Sequence, residues 1–161
     1  MPIHSQVAFI RHSNESPSKQ IFHLDHISVE EIETNLLANN QVVIINTFEG
    51  DVSLQDMINS TTTSIQIMNQ VSKPIEIIAI MERKSTLKMA IIDIKKTKAI
   101  TNFASHPNRG KTFAVMYEKS ITKFFLTMAN QLLPDANFII TDHIESAYAI
   151  LENNHQANQL A

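Results

Sequence analysis

Val42-Val43-Ile44-Ile45 is a run of four β-branched residues with no polar position alternating among them. A strand with one wet face alternates apolar and polar side chains, so this run, within a strand read from Gln41 to Thr47, predicts burial on both faces. Gly50 and Asp51 end the strand in a turn. Ser53 then caps a segment in which Leu54, Met57, Ile58, Thr61, Ile65 and Met68 recur every three or four residues, with Pro74 as its far limit. A second β-branched run, Ile75 to Met81, follows that helix. Strand, helix and doubly buried strand together are the repeating unit of a parallel α/β sheet.

Upstream, Gln6 to Arg11 and Gln20 to Leu24 read as two extended segments separated by the turn-forming stretch Ser13 to Ser18, which predicts a hairpin or paired edge strands. Ser28 and Glu31 have the spacing of a capping box, and Val29, Ile32 and Leu36 continue at helical period to about Asn39. Downstream, Met89 to Ile94 is read as a strand, although Leu87, Ala90, Ile91 and Ile94 also fit a helical stripe. His106-Pro107-Asn108-Arg109-Gly110 reads as a turn into a strand from Thr112 to Tyr117. Ser120 caps an amphipathic helix carrying Ile121, Phe124, Phe125, Met128 and Leu132, and Pro134 closes it. Phe138 to Ile140 makes a short strand, Thr141 caps a final helix, and the polar tail is expected to fray.

The fold class expected is α/β, a single mixed, largely parallel sheet covered by helices and joined by right-handed crossovers. Residues 1–40 form an N-terminal strand and helix extension packed on the same domain, 41–153 the α/β domain, and 154–161 the frayed tail.

Composition narrows the chemistry. Two glycines in 161 residues, Gly50 and Gly110, exclude Gly-rich phosphate loops, which need several in one short stretch. Zero cysteines exclude disulfides, thiol nucleophiles and every Cys-containing metal site. Lys and Arg number 13 against 16 acids, a net charge of -3, which is not the basic balance of a nucleic-acid binder. The longest wholly apolar run is four or five residues, far short of the ~20 needed to span a bilayer, and no signal peptide opens the chain. A cytoplasmic location is the resulting expectation.

Individual constellations are bland beside their functional readings. His23-Leu24-Asp25-His26 offers three metal-ligating side chains, but no partner motif such as HExxH supplies converging ligands, so a polar strand end leading to the Ser28 cap is favoured. Ser105 to Thr112 ends like a P-loop, yet Ser105 stands where the first glycine belongs and Lys111-Thr112 run into a strand rather than a helix. Glu30, Glu31 and Glu33 complement a helix dipole. Lys95, Lys96, Lys98, Arg109 and Lys111 gather near one expected sheet end, where a solubilising rim outweighs an anion site. No cofactor, metal or catalytic residue is assigned.

Three stretches carry a resemblance to a known family. Met89-Ala-Ile-Ile-Asp-Ile94, followed by Asn102-Phe103-Ala104-Ser105, resembles a central strand ending in an acidic residue with its loop and helix. Phe113 to Tyr117 with Ser120 to Met128, and Phe138 to Asp142 with Glu145 to Leu151, resemble the next two strand and helix pairs. The pattern is similar to the STAS-like family, the α/β domain of anti-sigma-factor antagonists and relatives of unknown function, over roughly Gln41 to Asn153. Ile75 to Thr86 adds an apolar run to that pattern, leaving 75–81 and 89–94 both eligible as the central strand. In switchable members a serine after the central strand is phosphorylated, and the matching position here is Asn102, with Thr101 or Ser105 as substitutes at what would be a helix N-terminus.

The resemblance implies a non-enzymatic regulatory domain acting by protein-protein binding. The surface expected to bind a partner or ligand comprises Thr101, Asn102, Ser105, His106, Arg109 and Lys111. The alternative is a small apolar ligand or lipid-binding module, suggested by the Phe, Met and Ile of the helix from Ser120, and an enzyme of unknown class comes third. A protein partner is expected, a homodimer is compatible with the sequence, and neither nucleic acid nor a membrane span is.

Overall fold

The computed structural model describes residues 3–12, 18–88, 97–117, 127, 130–131, 133 and 135–160. The decisive run lies in β3 (Gln41–Phe48), where Val42 to Ile45 are at most 2% exposed. β3 pairs in parallel with β5 (Ile75–Met81), and β5 pairs in parallel with β7 (Arg109–Met116); an apolar core lies on each face of these strands, as their apolar runs require. β8 (Phe138–Thr141) extends the parallel set beyond β7. The strand between β3 and β7 is thus Ile75–Met81. The expected strand over 89–94 lies outside the described residues, as does most of the helix expected from Ser120, of which Thr127, Asn130 and Gln131 are helical.

On the other side of β3 stands β1 (Ile3–Arg11), antiparallel to it, and β2 (Ser18–His23) forms the outer hairpin partner of β1. The sheet order is β2-β1-β3-β5-β7-β8, so the first two strands are built into the same sheet as the parallel set. This is an α/β fold with one mixed, mostly parallel sheet.

After β2 the chain turns through a 3-10 segment, Leu24–His26, into α1 (Val29–Leu37), whose cap Ser28 accepts from the Glu31 N–H. α2 (Leu54–Met68) begins with a complete capping box: Asp56 N–H donates to Ser53 Oγ at 3.1 Å, and Ser53 N–H donates to Asp56 Oδ2 at 2.9 Å. The buried side of α2 is Ser60, Thr61, Ser64, Ile67 and Met68, while Leu54, Met57 and Ile58 are only half-buried. Small hydroxyl side chains let a helix lie close to its neighbours, and Thr61 Oγ1 satisfies itself on the Ile58 carbonyl.

Successive crossovers from β3 to β5 to β7 step in one direction, and crossovers of one hand then place their helices on one face. Ile32 and Leu36 of α1, Ile67 and Met68 of α2, and Phe103 of α3 (Lys98–Ala104) accordingly share a core with Val42, Ile44, Ile75 and Ile77. The opposite face, with Ala8, Ile10, Val43, Ile45, Ile78, Ile80, Phe113 and Val115, packs on Ala147 and Leu151 of α4 (Ile144–Leu160). Fully burying each such Val, Ile or Phe contributes about 1.5–3 kcal/mol.

Local expectations meet two corrections. Thr141 is the last residue of β8 rather than a helix cap; α4 starts three residues later, and Ser146 N–H donates to His143 O. Gly110 lies inside β7, not in the turn before it, whereas Gly50 does sit in a turn at φ +68°, between β3 and the short β4 (Asp51–Ser53). β4 pairs with β6 (Thr86–Lys88) beside the carboxyl end of the parallel strands. α4 includes residues 154–160.

Candidate functional site

The six residues singled out by sequence occupy the connection from α3 into β7, at the amino ends of the parallel strands. Thr101 and Asn102 fall in the last turn of α3 and Ser105 is its C-cap, so the expected helix N-terminus at these positions is corrected: a phosphate here would meet the negative end of the helix dipole. Thr101 Oγ1 donates to Lys98 O, Ser105 Oγ donates to Thr101 O, and Asn102 is exposed. These three side chains do not converge with the rest.

His106 and Arg109 enter a fastening network. Asn108 N–H donates to His106 Nδ1 at 3.0 Å, which puts the imidazole proton on Nε2, and that nitrogen donates to Asn69 Oδ1 at 2.8 Å. Burial pushes the His106 pKa down. Asn108 Nδ2 donates to the carbonyls of Met68 and Val71, tying the end of α2 to the same loop. Arg109 donates from Nε and Nη2 to Ala104 O, from Nη2 to Asp135 O at 2.6 Å and from Nη1 to Thr112 Oγ1 at 2.6 Å. Burial lowers its pKa, opposed by Asp135. The guanidinium therefore caps the carbonyl end of α3 and holds the approach to β8. Lys111 is exposed, and its backbone N–H donates to Glu76 Oε2.

At the opposite end of the sheet, β2 stops at His23, opposite Gln6, while β1 continues to Ile3. A cleft of about 390 Å³ opens in that notch, lined by His4, His23, Asp25, Asp56, Asn59 and Thr63 among others. The His4 and His23 rings meet edge-on with centroids 4.6 Å apart, and His26 follows at 5.6 Å from His23. Asp56 is committed to the α2 cap and Asn59 Oδ1 accepts from Gln55. Among the described residues no group of three or more His, Asp or Glu is arranged to hold a metal.

The remaining unusual surface is β2 itself. All six of its residues are exposed, including Ile21 at 44% and Phe22 at 37%, and among the described residues no strand pairs with its outer side. Registry fixes where they point. Phe22 lies opposite Val7 and Gln20 opposite Phe9 on the α1 face, with the Phe22 and Phe9 rings 5.8 Å apart; Ile21 lies opposite Ala8 and Lys19 opposite Ile10 on the α4 face. A cleft flanks the strand on each face. One of about 390 Å³ runs between the hairpin and α1, along Arg11, Gln20, Phe22 and Glu31; one of about 400 Å³ runs between the hairpin and α4, along Lys19, Glu145, Tyr148 and Glu152. Lys19 Nζ lies 3.8 Å from the Tyr148 ring centroid, and burial raises the Tyr148 pKa.

Sequence reasoning did not single out Ile21 and Phe22. Their signal was adjacency: neighbouring strand residues point to opposite faces, and two large apolar side chains set between Gln20 and His23 cannot both enter one core. No protein-family model, no curated protein and no solved structure matches this chain. No helix among the described residues is long and apolar enough to cross a membrane.

Proposed function

We propose that this chain is a non-enzymatic, STAS-like regulatory domain that acts by protein-protein binding, and that it binds through the β2 edge. The observation that carries the reading is the wholly exposed strand β2, with Ile21 and Phe22 on its two faces and, among the described residues, no strand on its outer side. Unpaired strand N–H and C=O groups are a template for another strand, and proteins normally blunt such edges. The reading favours this edge over Arg109 and His106, whose polar atoms are engaged in holding α2, α3 and the approach to β8 together.

The test is affinity capture from native cell extract with the full chain and with an Ile21→Asp variant, the bound protein being identified by mass spectrometry. Recovery of one defined protein by the wild-type chain, lost with the variant, is the expected result. Equal recovery by both, or turnover of a small molecule by the purified chain, overturns the reading.

A further inference from the structure

We infer that His4 and His23 form a binding site for a zinc-like divalent transition-metal ion, each imidazole giving one ligand and water completing the shell. In sequence, His23, Asp25 and His26 stand without a ligand converging from elsewhere. The fold brings one to them. β2 ends at His23, opposite Gln6, while β1 runs on to Ile3, so His4 and His23 are diagonal neighbours on adjacent strands and their rings meet.

Separation is the first support. Zinc bonds of about 2.0–2.1 Å to an imidazole nitrogen place the centroids of two rings on one ion roughly 4.5–5.3 Å apart, for ligand angles from square to tetrahedral. The His4 and His23 centroids are 4.6 Å apart, inside that range. Rotation about χ2, which is broad for histidine, turns a nitrogen of each ring toward the shared point. His26, 5.6 Å from His23, falls outside it. Two protein ligands therefore make the site, in keeping with the absence among the described residues of any metal-holding group of three.

The second is that these nitrogens are uncommitted. No hydrogen bond joins either imidazole to another described residue, whereas His106 uses both ring nitrogens on Asn69 and Asn108, and His12 bonds Gln41. Both side chains are exposed, so an ion reaches them from water.

Charge is the third. Among the described residues, Asp25 and Asp56 line the cleft that His4 and His23 share, and no Lys or Arg does. Asp56 keeps its negative charge while it caps α2. The cleft is thus biased toward a cation, and an ion held there clips the start of β1 to the end of β2.

Isothermal titration of the full, untagged chain with ZnCl2 tests the site, in a protein with no cysteine to compete for zinc. One ion per chain is expected. His4→Gln and His23→Gln should each weaken binding more than about tenfold, the cost of disturbing even the hydrogen bonds around a metal ligand. Both positions are exposed, so the circular dichroism spectrum should not change. His143→Gln, an exposed histidine beside Tyr117, should bind as wild type does. In NMR spectra zinc should shift the ring signals of His4 and His23 and leave those of His106 in place. No binding by the wild-type chain at millimolar zinc, binding that survives His4→Gln or His23→Gln, or ring shifts confined to other histidines overturns the assignment.

Discussion

Glu76 occupies the space that a side chain on Gly110 would need. A Cβ at position 110 would lie 2.6 Å from Glu76 Oε2, 3.0 Å from its Cδ and 3.0 Å from the Ile75 carbonyl oxygen. The two are neighbours because β7 is irregular here: Ile75 pairs with Arg109 and Ile77 with Thr112, so Gly110 and Lys111 both stand opposite Glu76. The carboxylate is held in place by the Lys111 N–H.

Gly110→Ala should consequently destabilise the fold by about 1–3 kcal/mol, the ordinary cost of overpacking. In a Glu76→Ala background the same change should cost less, since only the Ile75 carbonyl then crowds the methyl group. Urea denaturation of the four proteins of this double-mutant cycle checks it; a coupling of zero would disprove the contact.

Glu76 also sets a pH dependence. Burial raises its pKa above the ordinary carboxylate range, with the Lys111 N–H and charge pulling the other way. A raised carboxyl binds its proton more tightly folded than unfolded, so stability falls as pH rises from the unfolded pKa through the folded one, and is flat above. Glu76→Gln, which keeps an acceptor for Lys111, should raise Tm at pH 7 relative to wild type and narrow the difference toward pH 4. Thermal melts across that range decide the matter, and a variant less stable at pH 7 would contradict the sign.

Arg109→Lys should be destabilising although it conserves charge. One ammonium cannot reach Ala104 O, Asp135 O and Thr112 Oγ1 together as the planar guanidinium does. Each buried acceptor left without a partner costs about 1–3 kcal/mol. Denaturant midpoints measure the loss; full stability with impaired protein capture would instead return Arg109 to the binding surface.

Ser53→Ala removes both hydroxyl bonds of the α2 capping box. A loss of about 1 kcal/mol is expected. Thr63→Ala, at an exposed position of the same helix, serves as the control and should shift Tm little or upward, since alanine is the better helix former.

Legibility followed range. Ser28, Ser53 and the β-branched runs at 42–45 and 75–81 act through neighbours within a few residues, so the caps and strands could be read directly from the chain. Gly110 could not, because its reason is Glu76, 34 positions earlier, brought alongside only by the pairing of β5 with β7. Arg109 was noticed for its charge, but its partners are backbone carbonyls 5 and 26 residues away, which no side-chain pattern announces. β2 was visible as an extended segment. That it stands at an edge depends on β1 pairing with β3 on its far side, a choice made by the whole sheet.

From β1 onward, the spatial order of the strands follows their order in the chain, β2 alone standing outside its predecessor. A ribosome therefore delivers each new strand to a neighbour already in place, and the face carrying α1, α2 and α3 closes progressively as the chain lengthens. The other face has no such schedule. Ala8, Val43, Ile78 and Phe113 wait for α4, which follows all six strands, so during synthesis an apolar wall stays wet until the helix beginning at Ile144 arrives. Chain interrupted before that helix would carry most of a finished sheet with one side bare, a species suited to chaperone capture or aggregation.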